Sequence, residues 1–510
     1  MSSEMALKKK YTGRALALVL SNILNLITGI FSRALFVRII AVEYLGITSL
    51  YSNILGLLSL AELGVGSALE VRLYKPLVDN DEKRIQNILS LARKLYATIG
   101  IIVFALGLCF SYFVPFLIKN SQFSNNYIRL CFIINCFGIS LSYFMADKRL
   151  YLTANEKLFI PSLSDSIIKI VTTFLGLLVL YFTKEYLFYL LIISLQLFIS
   201  NFILFLVTKS IRKNIPKMGK DDIIQKEEKK FVLINLKQLI PNKISNVIFS
   251  STDSIVISFF IGLSAVAYYG NYYTIVSAFF AISALISTSL FSVFGKAVQS
   301  QEDKQLIYKK FASYEIVNFL YSSLCCIGMI ALLNNVVVFW MGNDSYLLDK
   351  WTVILMIMDF YVHSMYQPCS AMFIATQKFK EDKYFSFISM GLNLVISIVC
   401  AIFIGLPGVI LGTFLSDLFT YVTRRLMISK NYFNKRLFLV IIKDLVLMIC
   451  TFALGFLCYF LCSILSFDSL FLNIFIGIFI CFGIWIVPAL ILATKYNLIS
   501  FHKRKIKNEK

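Results

Sequence analysis

Val42-Glu43-Tyr44-Leu45-Gly46 recurs 224 residues later as Val266-Ala267-Tyr268-Tyr269-Gly270. Asp81-Glu82-Lys83-Arg84-Ile85 is echoed by Glu302-Asp303-Lys304-Gln305-Leu306 at an offset of 221. Ala154-Asn155-Glu156-Lys157 is echoed by Ala375-Thr376-Gln377-Lys378 at that same offset. Any one of these matches is weak. Three in one order, at nearly one spacing and at equivalent helix boundaries, describe a chain written twice.

Between these markers the chain is overwhelmingly apolar. Of its 510 residues 58% are hydrophobic and 15% charged, and the mean hydropathy is +0.78. A soluble chain carries about 25% charge. So much apolar surface cannot be hidden in one water-soluble core, so lipid must be the solvent for much of it. Runs long enough to cross a bilayer as helices are expected at about 15–40, 44–72, 95–118, 127–147, 158–182, 186–208, 232–261, 265–295, 311–341, 350–375, 384–405, 407–428, 438–464 and 470–494. The expected fold is therefore an all-α integral membrane protein of about fourteen transmembrane helices. The repeat divides it into a six-helix lobe at 1–208, a basic inter-lobe loop at 209–230 and a second six-helix lobe at 231–430. Two additional helices and a basic tail occupy 431–510. An even number of helices per lobe makes the repeats parallel, related by a pseudo-two-fold axis along the membrane normal. Such lobes commonly form a site at their interface and rock about it.

The net charge of +21 would suggest nucleic acid in a soluble protein, but the positions of the charges exclude it. Of 49 Lys and Arg, the segments expected outside hold only Arg38, Lys119, Arg129, Lys184 and Lys350. The turns Gly262-Leu263-Ser264 and Gly405-Leu406-Pro407-Gly408 carry none. Every second connection is basic: Lys209, Arg212, Lys213, Lys217 and Lys220, then Lys378, Lys380 and Lys383, then Arg424 to Arg436, then His502-Lys503-Arg504-Lys505. This is the positive-inside pattern, and it places both termini in the cytoplasm. Lys8-Lys9-Lys10 before the first apolar run reads as the flank of a retained helix rather than a cleaved signal. The stripe Ile85, Ile88, Leu89, Ala92 and Tyr96 fits either an interfacial helix or an extension of the third span.

Catalytic and metal signatures are missing. There is no G-x-x-x-x-G-K-[ST] and no G-x-S-x-G, and the two histidines, His363 and His502, are too scattered for zinc. The eleven cysteines read as small apolar filler. The longest expected outward connection, from Gly342 to Lys350, is short for a membrane polymerase or glycosyltransferase. Transport without a cofactor is the expectation.

Ionisable residues inside spans cost ~2.5–3.5 kcal/mol each on insertion scales, and they face a cavity or one another. The cavity candidates are Arg14, Arg33, Glu62, Lys169, Lys243, Asp253, Asp359, His363 and Asp417. Asp165 and Lys169, four residues apart, can pair along one helix face, as can Asp359 and His363, where a histidine beside a carboxylate could carry a proton. Asp253 follows Ser250-Ser251-Thr252 in a polar patch suited to a hydrated wall. Pro241 should bend the same helix. The run Tyr268, Tyr269, Asn271, Tyr272 and Tyr273 fits an interfacial aromatic belt or the wall of a glycan site.

Phe36-Val37-Arg38-Ile39-Ile40-Ala41-Val42-Glu43-Tyr44-Leu45-Gly46, then Leu60-Ala61-Glu62-Leu63-Gly64 and Leu73-Tyr74-Lys75-Pro76-Leu77, resemble the Wzx-type polysaccharide-biosynthesis flippases. So does the segment from Ser251-Thr252-Asp253 to Tyr268-Tyr269-Gly270. These flippases belong to the multidrug/oligosaccharidyl-lipid/polysaccharide exporter superfamily. The resemblance spans essentially the whole chain. It implies a V-shaped pair of lobes moving an undecaprenyl-pyrophosphate-linked oligosaccharide from the inner to the outer leaflet of the bacterial cytoplasmic membrane. The implied partners are that lipid-linked substrate, membrane lipids, a polysaccharide polymerase and other assembly proteins. A lipid II flippase and a multidrug/cation antiporter of the same superfamily are the near alternatives. A membrane polymerase or glycosyltransferase is the alternative of a different class.

Overall fold

The structure, a computed structural model, describes residues 2–62, 64–119, 121–211, 251–300, 302–376 and 379–495, with positions 227, 229 and 247. All regular structure among the described residues is helical. Every expected span except the seventh is matched by described helix along most of its length, and the seventh is described only over Ser251–Phe260. Among the described residues nine helices are long and apolar enough to cross a membrane, or ten if one bent pair is counted. The protein is a multi-pass membrane protein.

The chain divides into two compact units, Met1–Ala267 and Tyr268–Lys510. The first contains α1 (Ser2–Ile39), α2 (Glu43–Leu58), α3 (Val65–Val78), α4 (Glu82–Ser111), α5 (Asn125–Tyr143), α6 (Ala146–Ala154), α7 (Phe159–Thr183), α8 (Tyr186–Ser194), α9 (Gln196–Ile211) and α10 (Ser251–Phe260). The division falls inside α11 (Leu263–Gln299), and α12 (Lys304–Met341), α13 (Lys350–Ala375), α14 (Phe379–Ile404), α15 (Leu406–Arg425), α16 (Leu437–Ile464) and α17 (Leu470–Lys495) follow. The repeat markers sit at matching helix ends. Asp81 caps α4 by accepting from Arg84 N at 3.0 Å, and Asp303 caps α12 by accepting from Gln305 N at 3.2 Å. Ala154 ends α6 and Ala375 ends α13.

At the level of elements one expectation changes and one open alternative is decided. The second span is not one helix. A single turn, Ser59–Glu62, ends it, and Gly64, at φ +85°, starts α3 from a left-handed backbone that a side chain would strain. The stripe on the third span is not an interfacial helix. It belongs to the continuous α4, and Ile85, Ile88, Ala92 and Tyr96 are buried in a cluster with Leu69 and Leu73 of α3 and Leu150 of α6. Apolar residues gain little from leaving lipid for protein, so the bundle is held by close packing and polar contacts. At Gly412 of α15 a Cβ would lie 2.2 Å from Ser397 Oγ of α14, so only glycine permits this approach. The outer faces of α16 and α17 keep Phe438, Ile449, Phe460 and Phe479 exposed, as lipid-facing helices must.

Candidate functional site

The broken second span positions the site in the first unit. Glu62 closes its short turn, Gly66, Ser67 and Glu70 follow on α3, and all four line a cavity of about 640 Å³. Ser52 and Ser59, Tyr96 of α4, Asn135, Ser142 and Tyr143 of α5, Arg149 of α6 and Asn201 of α9 complete its polar wall. The cavity's volume falls within the range of pockets that hold small ligands, about 300–1,000 Å³.

The floor is an ion pair. Arg149 Nη1 and Nη2 donate to the two oxygens of Asp165 at 2.7 and 2.6 Å, and its Nε donates to Asn201 Oδ1 at 3.1 Å. Ser200 Oγ donates to Asp165 Oδ1 at 2.6 Å. This corrects the expected pairing of Asp165 with Lys169. A guanidinium fork satisfies both carboxylate oxygens at once, which an ammonium cannot, and α6 brings that fork across to α7. Lys169 turns to α1 instead, where its Nζ donates to Asn25 O at 3.2 Å.

The other candidates of the first unit are dispersed. Arg14 Nη1 donates to Glu156 Oε2 at 3.2 Å, in the turn after α6. Arg33 is half-buried on α1, one turn before Phe36. The Phe36 ring packs 5.0 Å from that of Tyr189 and 6.3 Å from that of Tyr186. Asp253 is buried with Ser251, Thr252 and Ser254. That polar patch packs into the first unit, where a Cβ on Gly56 would sit 3.1 Å from Ser251 Oγ. Lys243 and Pro241 lie outside the described residues.

In the second unit the histidine does find a carboxylate, but not the one four residues away on its own helix. His363 Nδ1 lies 2.7 Å from Asp417 Oδ2 of α15, and Gln367 Nε2 lies 3.0 Å from His363 Nε2. Tyr366 Oη is 2.7 Å from the same Nδ1 and 3.5 Å from Asp417 Oδ1. One arrangement satisfies these groups: Nδ1–H donates to Asp417, while the Gln367 amide donates to Nε2. Asp359 is half-buried one turn earlier. The tyrosine run is divided: Tyr269 and Tyr272 are buried, Tyr268 is half-buried and Tyr273 is exposed. Tyr272 is buried and donates to Asn334 Oδ1 at 2.7 Å, and Asn271 is buried.

A second charged centre escaped the sequence. Arg425, expected among the cytoplasmic loop charges, is buried between Glu315 of α12 and Asp444 of α16. It contacts Asp444 at 2.7 Å, and Tyr421 Oη donates to that carboxylate at 2.6 Å. Only the isolated acids at 315 and 444, inside apolar runs, hinted at it.

This architecture is that of a multi-pass helical membrane protein. The structure is similar to the lipid II flippase MurJ in an inward closed conformation, with a TM-score of 0.67 and 17% identity, over 94% of this chain and 99% of MurJ. An inward-facing multidrug resistance MATE family transporter of the MOP superfamily aligns at a TM-score of 0.61 and 14% identity, over 80% of this chain and 94% of its own. The Vibrio cholerae MATE transporter VcmN aligns at 0.53 and 12%, over 86% and 100%. At these identities the likeness is one of fold. No protein-family model matches the sequence, and no curated protein does.

Proposed function

We propose that this chain is a flippase of the polysaccharide-exporter type, not an enzyme. It would carry an undecaprenyl-pyrophosphate-linked oligosaccharide from the inner to the outer leaflet of the bacterial cytoplasmic membrane by alternating access, for capsule, exopolysaccharide or O-antigen synthesis. A polysaccharide polymerase and other assembly proteins would act downstream. The observation that carries this reading is the full-length likeness to a lipid II flippase. That alignment spans 94% of the chain, against 80% for the inward-facing MATE transporter. The polar cavity of the first unit supports it, because a pore for purely apolar cargo needs no such wall. Arg33 is the residue assigned to the diphosphate, since its planar fork suits two phosphate oxygens. The same likeness favours a second reading, lipid II itself as cargo.

Purified protein in liposomes distinguishes the two. Fluorescent undecaprenyl-pyrophosphate oligosaccharide should change leaflet, scored by an impermeant quencher, and its glycan mass should stay constant. Faster movement of lipid II than of the oligosaccharide would replace the first reading with the second. Lengthening or cleavage of the glycan would replace both with a transferase or hydrolase.

A further inference from the structure

We propose that α13 carries a hydrated hinge at residues 364–368, where an internal water molecule held by Ser283, Asn318 and Ser364, together with the Asn318 amide, replaces the backbone hydrogen bond that Pro368 removes. The hinge is independent of the cargo the chain moves. Pro368 stands inside α13, four residues after Ser364. It has no N–H to give to Ser364 O, and a proline ring crowds the carbonyl four residues before it. A carbonyl without a donor is costly inside a bilayer. Asn318 of α12 answers it, its Nδ2 donating to Ser364 O at 2.6 Å.

Three more polar atoms are buried at this level with no hydrogen-bond partner among the described residues: Asn318 Oδ1, Ser364 Oγ, and Ser283 Oγ of α11. The surrounding contacts set their register. Tyr321 Oη donates to Phe279 O at 2.7 Å, and Ser287 Oγ donates to Gln367 O at 3.4 Å. Ser283 lies one turn from both Phe279 and Ser287, which brings it level with Asn318 and Ser364. The Phe280 ring, 5.1 Å from that of Phe360 and 4.6 Å from that of His363, gives the same register. Neighbouring serines direct their proton to a carbonyl one turn back, as Ser322 does to Asn318 O at 2.8 Å and Ser370 to Tyr366 O at 3.1 Å. Ser283 and Ser364 do not. One water meets all three groups, accepting from the two serine hydroxyls and donating to Asn318 Oδ1.

The repeat supplies the bent form of the same helix. At the offset of 221, Ser364 corresponds to Tyr143 and Pro368 to Asp147. Tyr143 ends α5, and α6, starting at Ala146, is bent from it by 50°. Thus α13 is continuous where its counterpart is broken, and its proline sits at the corresponding point. Hydrogen bonds from a side chain and a water can be remade at another angle, whereas a helical N–H fixes one.

The test uses the full chain in lipid nanodiscs. An electron cryomicroscopy map that resolves ordered water should show a peak within hydrogen-bond reach of Ser283 Oγ, Asn318 Oδ1 and Ser364 Oγ. No peak there, or a peak that appears only in sodium buffer, overturns the water site. Asn318→Leu should lower the thermal midpoint by several degrees. Beside Pro368→Ala, whose new N–H satisfies Ser364 O, it should lower the midpoint by less than half as much. Equal losses in the two backgrounds overturn the role of Asn318. Spin labels on Lys350→Cys and Thr376→Cys, in a chain stripped of its own cysteines, read the hinge without any change at Asn318. With Pro368 present the distance distribution should be broad, and Pro368→Ala should narrow it to that of a straight helix. Identical distributions overturn the hinge.

Discussion

A guanidinium in a bilayer persists only where water, a partner or a cavity receives it, and Arg33, Arg149 and Arg425 meet that demand differently. Arg149 and Arg425 are closed by carboxylates, Asp165 for the first and Glu315 with Asp444 for the second. Arg33 lies near Tyr189, whose ring packs on Phe36. If it holds the diphosphate, Arg33→Ala should abolish surface glycan in a strain lacking the native gene, at normal membrane abundance, and Arg33→Lys should restore only part. Full export by the lysine variant would reduce its role to charge, and full export by alanine would remove it from the site. The residue types were readable in the sequence, whereas their mates were not. Spacing of four on one helix nominated Lys169 for Asp165 and Asp359 for His363. The stronger partners, Arg149 and Asp417, sit on other helices, and sequence spacing carries no information about how two helices are rotated against each other.

At the scale of elements, the Arg425 centre ties α12, α15 and α16 together. Lys443 Nζ extends it, 3.7 Å from Glu315 Oε2. Trp485 of α17 adds a hydrogen bond to Ser323 Oγ of α12 at 3.0 Å. The final helix pair, expected as an addition outside the repeat, is thus joined to a helix of the repeat by polar contacts, which lipid does not weaken by competing for them. Removing Arg425 would leave two buried carboxylates facing each other, at a cost of about 3–5 kcal/mol. Arg425→Met should therefore lower the thermal midpoint of the detergent-solubilised protein, and adding Glu315→Gln should recover part of the loss. An unchanged midpoint in the single variant would show that the centre contributes nothing to stability. The break at Gly64 was only half legible. Two glycines after Glu62 signalled close approach, but a left-handed residue in mid-span depends on what α3 must pack against.

For the whole molecule, the alternation of basic loops makes a claim about sidedness. Cysteines placed singly at Asn343 and Lys430, in a chain stripped of its own, should label from opposite sides. Asn343 should react with an impermeant maleimide on intact cells, and Lys430 only after permeabilisation. Reaction of both on intact cells would overturn the threading. The sequence by itself determined that the chain lives in lipid and where its spans fall, and it set the expected side of each loop. Each of these follows from transfer energy summed along about twenty residues or from charge counted in a loop, and neither sum needs a neighbour. Only the tertiary structure decided that Glu62 and Glu70 share a cavity with Tyr96, Tyr143 and Arg149, that His363 answers to Asp417, and that Arg425 is buried. Those facts depend on helix rotation and on hydrogen bonds of a few ångströms between segments up to 110 residues apart, a range over which periodicity says nothing.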